Sequence, residues 1–240
     1  MGSRRDLAFL AFSVLSLALL VSLGVWQLQR LQWKESLIAR MGERISSEPR
    51  DIAEIEARQT AGEDVEFMRA TARGRFMHNS ELFVFTTSAG AMGWKVVTPL
   101  EMDDGKAILV DRGFIPYEMK DPATRPGSRQ DGTVSVIGAV RPYSSPRAPF
   151  APDNDVSANV WHWWALSAMA EAAGLARASP FILQAEPGPG DTAWPEASRL
   201  DPATIPNRHL GYAITWFGLA AMLVVVNGLY LLRRRRASVS

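Results

Sequence analysis

The sequence predicts a membrane protein in which two transmembrane α-helices flank one extracytoplasmic α+β domain with a mainly antiparallel sheet. Two apolar runs without a charged residue, 7–26 and 210–232, predict the helices. Each is about as long as the roughly 20 residues that cross a hydrocarbon core. Arginines on the outer flanks of both runs predict the orientation. Between the runs, a series of short segments rich in β-branched and aromatic residues predicts the sheet. The 47% hydrophobic and 21% charged composition looks like that of a soluble chain, because the average hides apolar residues gathered at the two ends.

Arg4 and Arg5 precede the first run, and Arg233, Arg234, Arg235 and Arg236 follow the second. Short cationic flanks stay in the cytoplasm, whereas long domains cross largely regardless of charge. The expected order is therefore a cytoplasmic segment 1–6, helix 7–27, extracytoplasmic domain 28–208, helix 209–232 and a basic cytoplasmic tail 233–240. Residues 3–7, Ser-Arg-Arg-Asp-Leu, loosely echo a twin-arginine export signal. No small-residue cleavage site follows the apolar run, so an uncleaved anchor is expected. No Arg/Ser-rich transit segment precedes it, which fits a bacterial inner membrane crossed twice.

At the end of the first helix, Trp26, Arg30 and Trp33 share one face. An interfacial belt, with aromatic rings at headgroup depth, explains them and is favoured over a contact of Arg30 or Gln27 with a ligand or the second helix. Residues 34–58 carry apolar side chains at three- to four-residue steps, and Pro49 divides them into two short helices. A turn is expected at 60–64.

From Phe67 the period changes. Strands are expected at 67–76, 81–87, 94–100 (closed by Pro99), 107–116, 133–140 and 181–185. The Asp103-Asp104-Gly105-Lys106 turn should join two of them into a hairpin. Arg112 is expected to pair with a carboxylate or carbonyls, and Gly113 to occupy a bulge or turn. Pro142 to Pro152 reads as a loop, 167–176 as an alanine-rich helix ending at Gly174, and 186–206 as irregular chain. Trp161-His162-Trp163-Trp164 reads as aromatic packing at a strand-to-helix junction.

Chemistry is sparse. There are no cysteines, which removes disulfides, thiolate metal sites and Cys-x-x-Cys redox motifs. The three histidines, at 78, 162 and 209, fall in no serine-elbow or zinc motif, and there is no phosphate loop. Asp103-Asp104 and Asp153-Asn154-Asp155 are explained by turns and caps. A net charge of +1 gives no reason to expect nucleic acid. His209 stands apart. It opens the second apolar helix, where His209, Tyr212, Ala213, Trp216 and Ala220 share a stripe at helical spacing. It can bond a carbonyl or headgroup there, or offer a neutral imidazole to haem iron in an apolar setting. The residues alone leave those two readings even.

Several blocks together resemble the surfeit-locus family of cytochrome c oxidase assembly proteins, specifically a bacterial member. They are Gly24-Val25-Trp26-Gln27 with Arg30 and Lys34, Gly93-Trp94 with Thr98-Pro99-Leu100, and residues 110–116, Val-Asp-Arg-Gly-Phe-Ile-Pro. Trp161 and Trp163 before an alanine-rich helix, and residues 207–213 with Thr215-Trp216-Phe217, complete the set. Asp111 and Phe114 depart from the Asn and Trp expected there. The resemblance implies a non-enzymatic factor that binds haem a transiently and delivers it to the oxidase catalytic subunit. It maps the iron's axial ligand onto His209; Tyr212 and Trp216 of the same helix, and the first helix near Trp26, can line a pocket beside it. The implied partners are the oxidase catalytic subunit, haem a synthase and membrane lipid. A scaffold that stabilises an oxidase intermediate without haem is the alternative, and a membrane-anchored hydrolase is disfavoured by the missing nucleophile–base pair.

Overall fold

The computed structural model describes residues 4–142, 147, 149–188, 194–197 and 199–237. Ser3, Pro146, Pro189, Gly190 and the last three residues of the basic tail lie outside these. The chain divides into two units, one formed by its ends up to Arg40 and from Pro202, the other by Met41–Asp201.

The first unit holds two long helices, α1 (Arg4–Ser46, whose last turns belong to the second unit) and α4 (His209–Ala237). Both are long and apolar enough to cross a membrane. Helix α1 does not stop after its apolar run as the sequence suggested. Residues 34–46 continue it without a break, because no proline occurs before Pro49 and the single Gly42 does not interrupt the backbone ladder. The pair buries a seam and leaves its other faces bare: Leu7, Phe12, Leu15, Ile214 and Met222 are all more than 60% exposed. An apolar surface of that extent suits hydrocarbon better than water.

In the second unit the elements run β1 (Arg50–Asp51), α2 (Ile52–Thr60), β2 (Arg69–Phe76), β3 (Leu82–Ser88), β4 (Ala91–Met102), β5 (Ala107–Pro116), β6 (Val134–Arg141), α3 (Leu166–Ala172) and β7 (Ala178–Ala185). The order β1-β2-β6-β7-β5-β4-β3, with a further β2–β4 pairing, closes the sheet into a barrel of β2, β6, β7, β5 and β4. Most pairings are antiparallel, as the sequence predicts; β5–β7 and β1–β2 are parallel. Closure removes the edges that an open sheet would expose. Closure has no local signature in the chain, since it depends on pairing Gly74–Phe76 with Leu100–Met102 across a wide chain separation.

Alternation explains the core. Ala70 and Ala72, Ile108 and Val110, and Phe181 and Leu183 point inward, where Ile52 and Ile55 of α2 meet them. On the other face of the same strands, Leu109 and Ile182 pack with Val84, Val97, Trp161 and Met169 under α3. Strands β5 and β7 are thus covered on both faces, which is why their sequences run apolar without a break. A third cluster packs Phe83, Trp94 and Ile115. The Lys120 ammonium lies 4.8 Å from the Trp94 ring and 5.4 Å from Phe83, and burial there lowers its pKa below the usual lysine value.

Two details differ from the sequence reading. Pro99 does not close its strand but sits inside β4, opposite Leu109. Its missing N–H falls at the point where β4 changes partner, from β3 (last paired at Val97) to β2 (first paired at Leu100), so no ladder bond is lost. The short strand β1, parallel to β2, was not foreseen; two residues carry no periodicity. Trp161 packs as expected, wholly buried and bridged to Val84, with its indole N–H donated to Asn159. His162 lies 5.9 Å from the Phe85 ring in tilted contact.

Candidate functional site

The helical unit is built around its seam. On α1 the side chains turned inward recur at Ser13, Leu17, Leu20, Gly24, Gln27 and Leu31, the i, i+3, i+4 spacing of one helical face. On α4 they are His209, Ala213, Trp216, Phe217, Ala220 and Asn227. Partner numbers fall along α4 as they rise along α1, so the helices are antiparallel. Ser13 donates to Asn227 Oδ1 at 3.3 Å. A Cβ on Gly24 would sit 2.7 Å from the Phe217 ring. Glycine at that point lets the two backbones approach, as small residues do between membrane helices. The Ser13–Asn227 bond gives two polar side chains partners inside otherwise apolar stretches.

At the end of this seam, His209 Nδ1 lies 2.8 Å from Gln27 Oε1. His209 is half-buried, and Gln27 is 9% exposed. The loop before α4 turns through Pro206, and Tyr212 N donates to Arg208 O at 3.3 Å, starting the helix around the histidine. Of the predicted stripe, Ala213 and Ala220 are buried and Trp216 is half-buried on the seam side. Tyr212 and Trp26 are about half exposed, at 55% and 52%. The residue brought against the imidazole is Gln27.

Arg30 stacks over the Trp33 ring at 4.1 Å, and Trp26 and Trp33 face outward. Gln27 meets the second helix, the contact that the sequence reading ranks below an interfacial belt. Its place three residues after Gly24, on the Ser13–Leu17–Leu20–Gly24 face, is the pattern that could have found it.

In the barrel unit the quoted motif blocks converge on one strand pair. Gly93 faces Pro116, Trp94 faces Ile115 and Thr98 faces Val110. Arg112 pairs with a carboxylate, as the sequence suggested: its guanidinium reaches Glu81 Oε1 at 3.4 Å and donates to Ser128 O. Glu81 Oε2 accepts from Arg125 at 2.6 Å, and Thr98 Oγ1 donates to Oε1 at 3.3 Å. His78 Nδ1 lies 3.5 Å from the same oxygen. All are buried or nearly so, and the cluster ties β3, β4, β5 and the 117–128 turns together. Asp111 holds Lys95 and accepts from the Gly113 N–H at 3.1 Å. A cavity of about 440 Å³ opens beside β2 and β6. Of its three cations, Arg69 and Arg199 are bound to Glu186 and Arg112 to Glu81.

Among the described residues no group of three or more His, Asp or Glu side chains could hold a metal ion by itself. A lone histidine at a helix end can add one bond to a metal already held by its own macrocycle, but cannot assemble a bare-ion site.

The chain has relatives among known proteins. A family model described as the SURF1 family matches residues 14–221, which spans both units. The chain is 36% identical over 221 residues to Surfeit locus protein 1 of Xenopus tropicalis, covering 83% of this chain and 68% of that protein. It is 34% identical over 216 residues to the Homo sapiens protein of the same name, covering 83% and 69%. A SURF1-like protein of Rickettsia bellii is 30% identical over 229 residues, covering 90% and 88%. The match runs from the first apolar helix through the barrel into the second, and the chain belongs to the SURF1 family.

Proposed function

We propose that the protein is a membrane-anchored assembly factor for a haem-copper (cytochrome c) oxidase, which binds haem a transiently and passes it to the catalytic subunit. Family membership supports the assembly role, and the His209–Gln27 pair at the head of α4 carries the haem reading. When bound, haem supplies an iron that takes an axial nitrogen base. The residues present fit that demand. His209 is a half-buried imidazole held from one side, at the end of an apolar helix pair, with Trp216 on the same seam. Tyr212 and Trp26 present further aromatic surface close by in sequence to His209 and Gln27. Delivery by this route would exchange a coordination bond at the iron and leave the covalent bonds of haem unchanged, so the protein acts by binding rather than as an enzyme. The barrel lies outside the cytoplasm of a bacterial cell, at the inner membrane.

His209→Ala tests the reading. In cells that make haem a, the variant should reach the membrane in normal amount. Haem retained per protein should fall by roughly tenfold or more, since even the outer partners of a metal-binding histidine are worth 10–100-fold in affinity. Oxidase haem content should fall with it. His162→Ala, which removes only a packed ring, should leave the spectrum unchanged. Equal haem per protein in His209→Ala would sink the axial-ligand role and favour a scaffold that holds an oxidase intermediate without haem.

Orientation has a separate test. A reporter active only outside the cytoplasm should work when fused near Pro146 and fail when fused after Arg236. Neutralising the four arginines from Arg233 should weaken insertion, because each cation near an anionic surface contributes about 1 kcal/mol. The reverse reporter pattern would move the barrel to the other side.

A further inference from the structure

We infer that Gln27 is a positioning residue for His209: its side-chain oxygen holds the imidazole as the Nδ1–H tautomer and leaves the Nε2 lone pair to offer. The two atoms are 2.8 Å apart, and Gln27 is only 9% exposed. A carboxamide oxygen can only accept, so Nδ1 must carry the hydrogen. A neutral imidazole has one N–H, which leaves Nε2 bare. Free histidine favours the opposite arrangement, with the proton on Nε2, so the tautomer has to be imposed. Among the described residues nothing hydrogen-bonds to Nε2, whereas Nδ1 has this one buried partner. An apolar setting strengthens such a bond relative to water.

Helix packing fixes the geometry. Gly24, one turn before Gln27, lies against the Phe217 ring so closely that a Cβ would overlap it. Farther along the seam Ser13 is bonded to Asn227. These contacts set the spacing and register of α1 against α4, and with them the distance from Gln27 to His209. Metal-binding histidines characteristically give their other N–H to such a partner, which fixes ring orientation and raises basicity. The inference deepens the haem reading, and rests on it only for what the lone pair is offered to. The competing arrangement has the same heavy-atom positions: the amide turned over, its NH₂ donating to Nδ1, and the proton on Nε2. That arrangement leaves no nitrogen for a metal.

The two are told apart by ¹⁵N resonances of the full-length, ¹⁵N-histidine-labelled protein in phospholipid nanodiscs, above the pH at which histidine is charged. The chain has three histidines, so the His209 pair is identified by its loss in His209→Ala. Wild type should show protonated Nδ1 and bare Nε2. Gln27→Leu should move the proton to Nε2, changing the tautomer ratio by about fivefold or more. Gln27→Glu, which keeps an acceptor oxygen, should retain Nδ1–H. Protonated Nε2 in wild type, or an unchanged ratio in Gln27→Leu, overturns the inference; if Gln27→Leu fails to insert, the wild-type tautomer decides alone. Haem a added to the same discs distinguishes the two ideas. No histidine-bound haem spectrum, with Nδ1–H intact, would sink the haem reading and leave the role of Gln27 standing.

Discussion

Gly113→Val is expected to abolish accumulation of the folded protein. Gly113 has φ of +119°, a conformation that side chains with a Cβ rarely adopt and β-branched ones resist most. It lies in a bulge of β5, where the pairing with β4 shifts between Lys95 and Val97. Space is the larger obstacle. A Cβ would stand 2.2 Å from Glu196 O and 2.4 Å from Glu196 C, both backbone atoms. The neighbouring Phe114 exchanges two backbone hydrogen bonds with Glu196, at 3.0 and 2.8 Å, so the segment cannot withdraw without losing that bridge. Backbone strain of about 1–3 kcal/mol, added to the overlap, removes much of a stability of about 5–15 kcal/mol. Gly62→Ala makes a useful comparison, because its φ is +84° but nothing lies within 4 Å of the added Cβ. It should cost only about 1 kcal/mol and leave the protein abundant. Membrane-fraction immunoblots and thermal unfolding measure both. Normal amounts of Gly113→Val with lost oxidase assembly would instead mark this loop as a partner-binding surface.

That prediction was already half visible in the sequence. A glycine between Arg112 and Phe114 in a β-rich run signals a bulge, and the Asp-Gly turn at 104–105 likewise forms with Gly105 at φ +73°. Strands whose apolar residues alternate, such as 69–76, could be read directly, because the period of two records which face is buried. Barrel closure could not, since its register depends on three residues of β2 meeting three of β4 far along the chain. The continuity of α1 through 34–46 was hidden for another reason. Composition changes there from apolar to charged, while the backbone hydrogen-bond ladder continues through Gly42 and stops only ahead of Pro49.

The candidate site was legible unevenly. His209 stood out because a histidine opening an apolar helix is rare and chemically versatile. Gln27 entered only as the less favoured reading, because glutamine beside tryptophan at a membrane boundary is ordinary in one dimension and informative only when the opposite helix is known. The Glu81 cluster was also invisible as a whole: Arg112 carried a motif, but Glu81, Arg125 and Ser128 are separated from one another by turns with no periodicity to connect them.

Glu81→Gln is therefore expected to destabilise the barrel far more than a change of one atom type suggests. Its carboxylate is shared by Arg125, at 2.6 Å, and Arg112, at 3.4 Å, with side-chain exposures of 5% for Glu81, 1% for Arg125 and 8% for Arg112. Glutamine keeps the volume but removes the charge that compensates two buried guanidiniums. Breaking a buried ion pair from one side costs about 3–5 kcal/mol, because the remaining charge stays desolvated. The arginines are themselves pinned: Arg125 also donates to Met119 O at 3.1 Å and Ser128 Oγ at 2.9 Å, so it cannot swing to water without abandoning the turns at 117–128. Arg125→Lys should destabilise too, since one ammonium cannot serve three separated acceptors as a planar fork does. Removing both sides of the contact should do less harm than removing one. Glu81→Leu with Arg125→Met is expected to be more stable than Glu81→Leu alone, by the logic that an apolar pair needs no compensating charge. Thermal unfolding of the four variants in one detergent would decide it. A midpoint for Glu81→Gln within a degree or two of wild type would mean that the guanidiniums find water or another acceptor, and that the cluster contributes little to holding the barrel strands to the 117–128 turns.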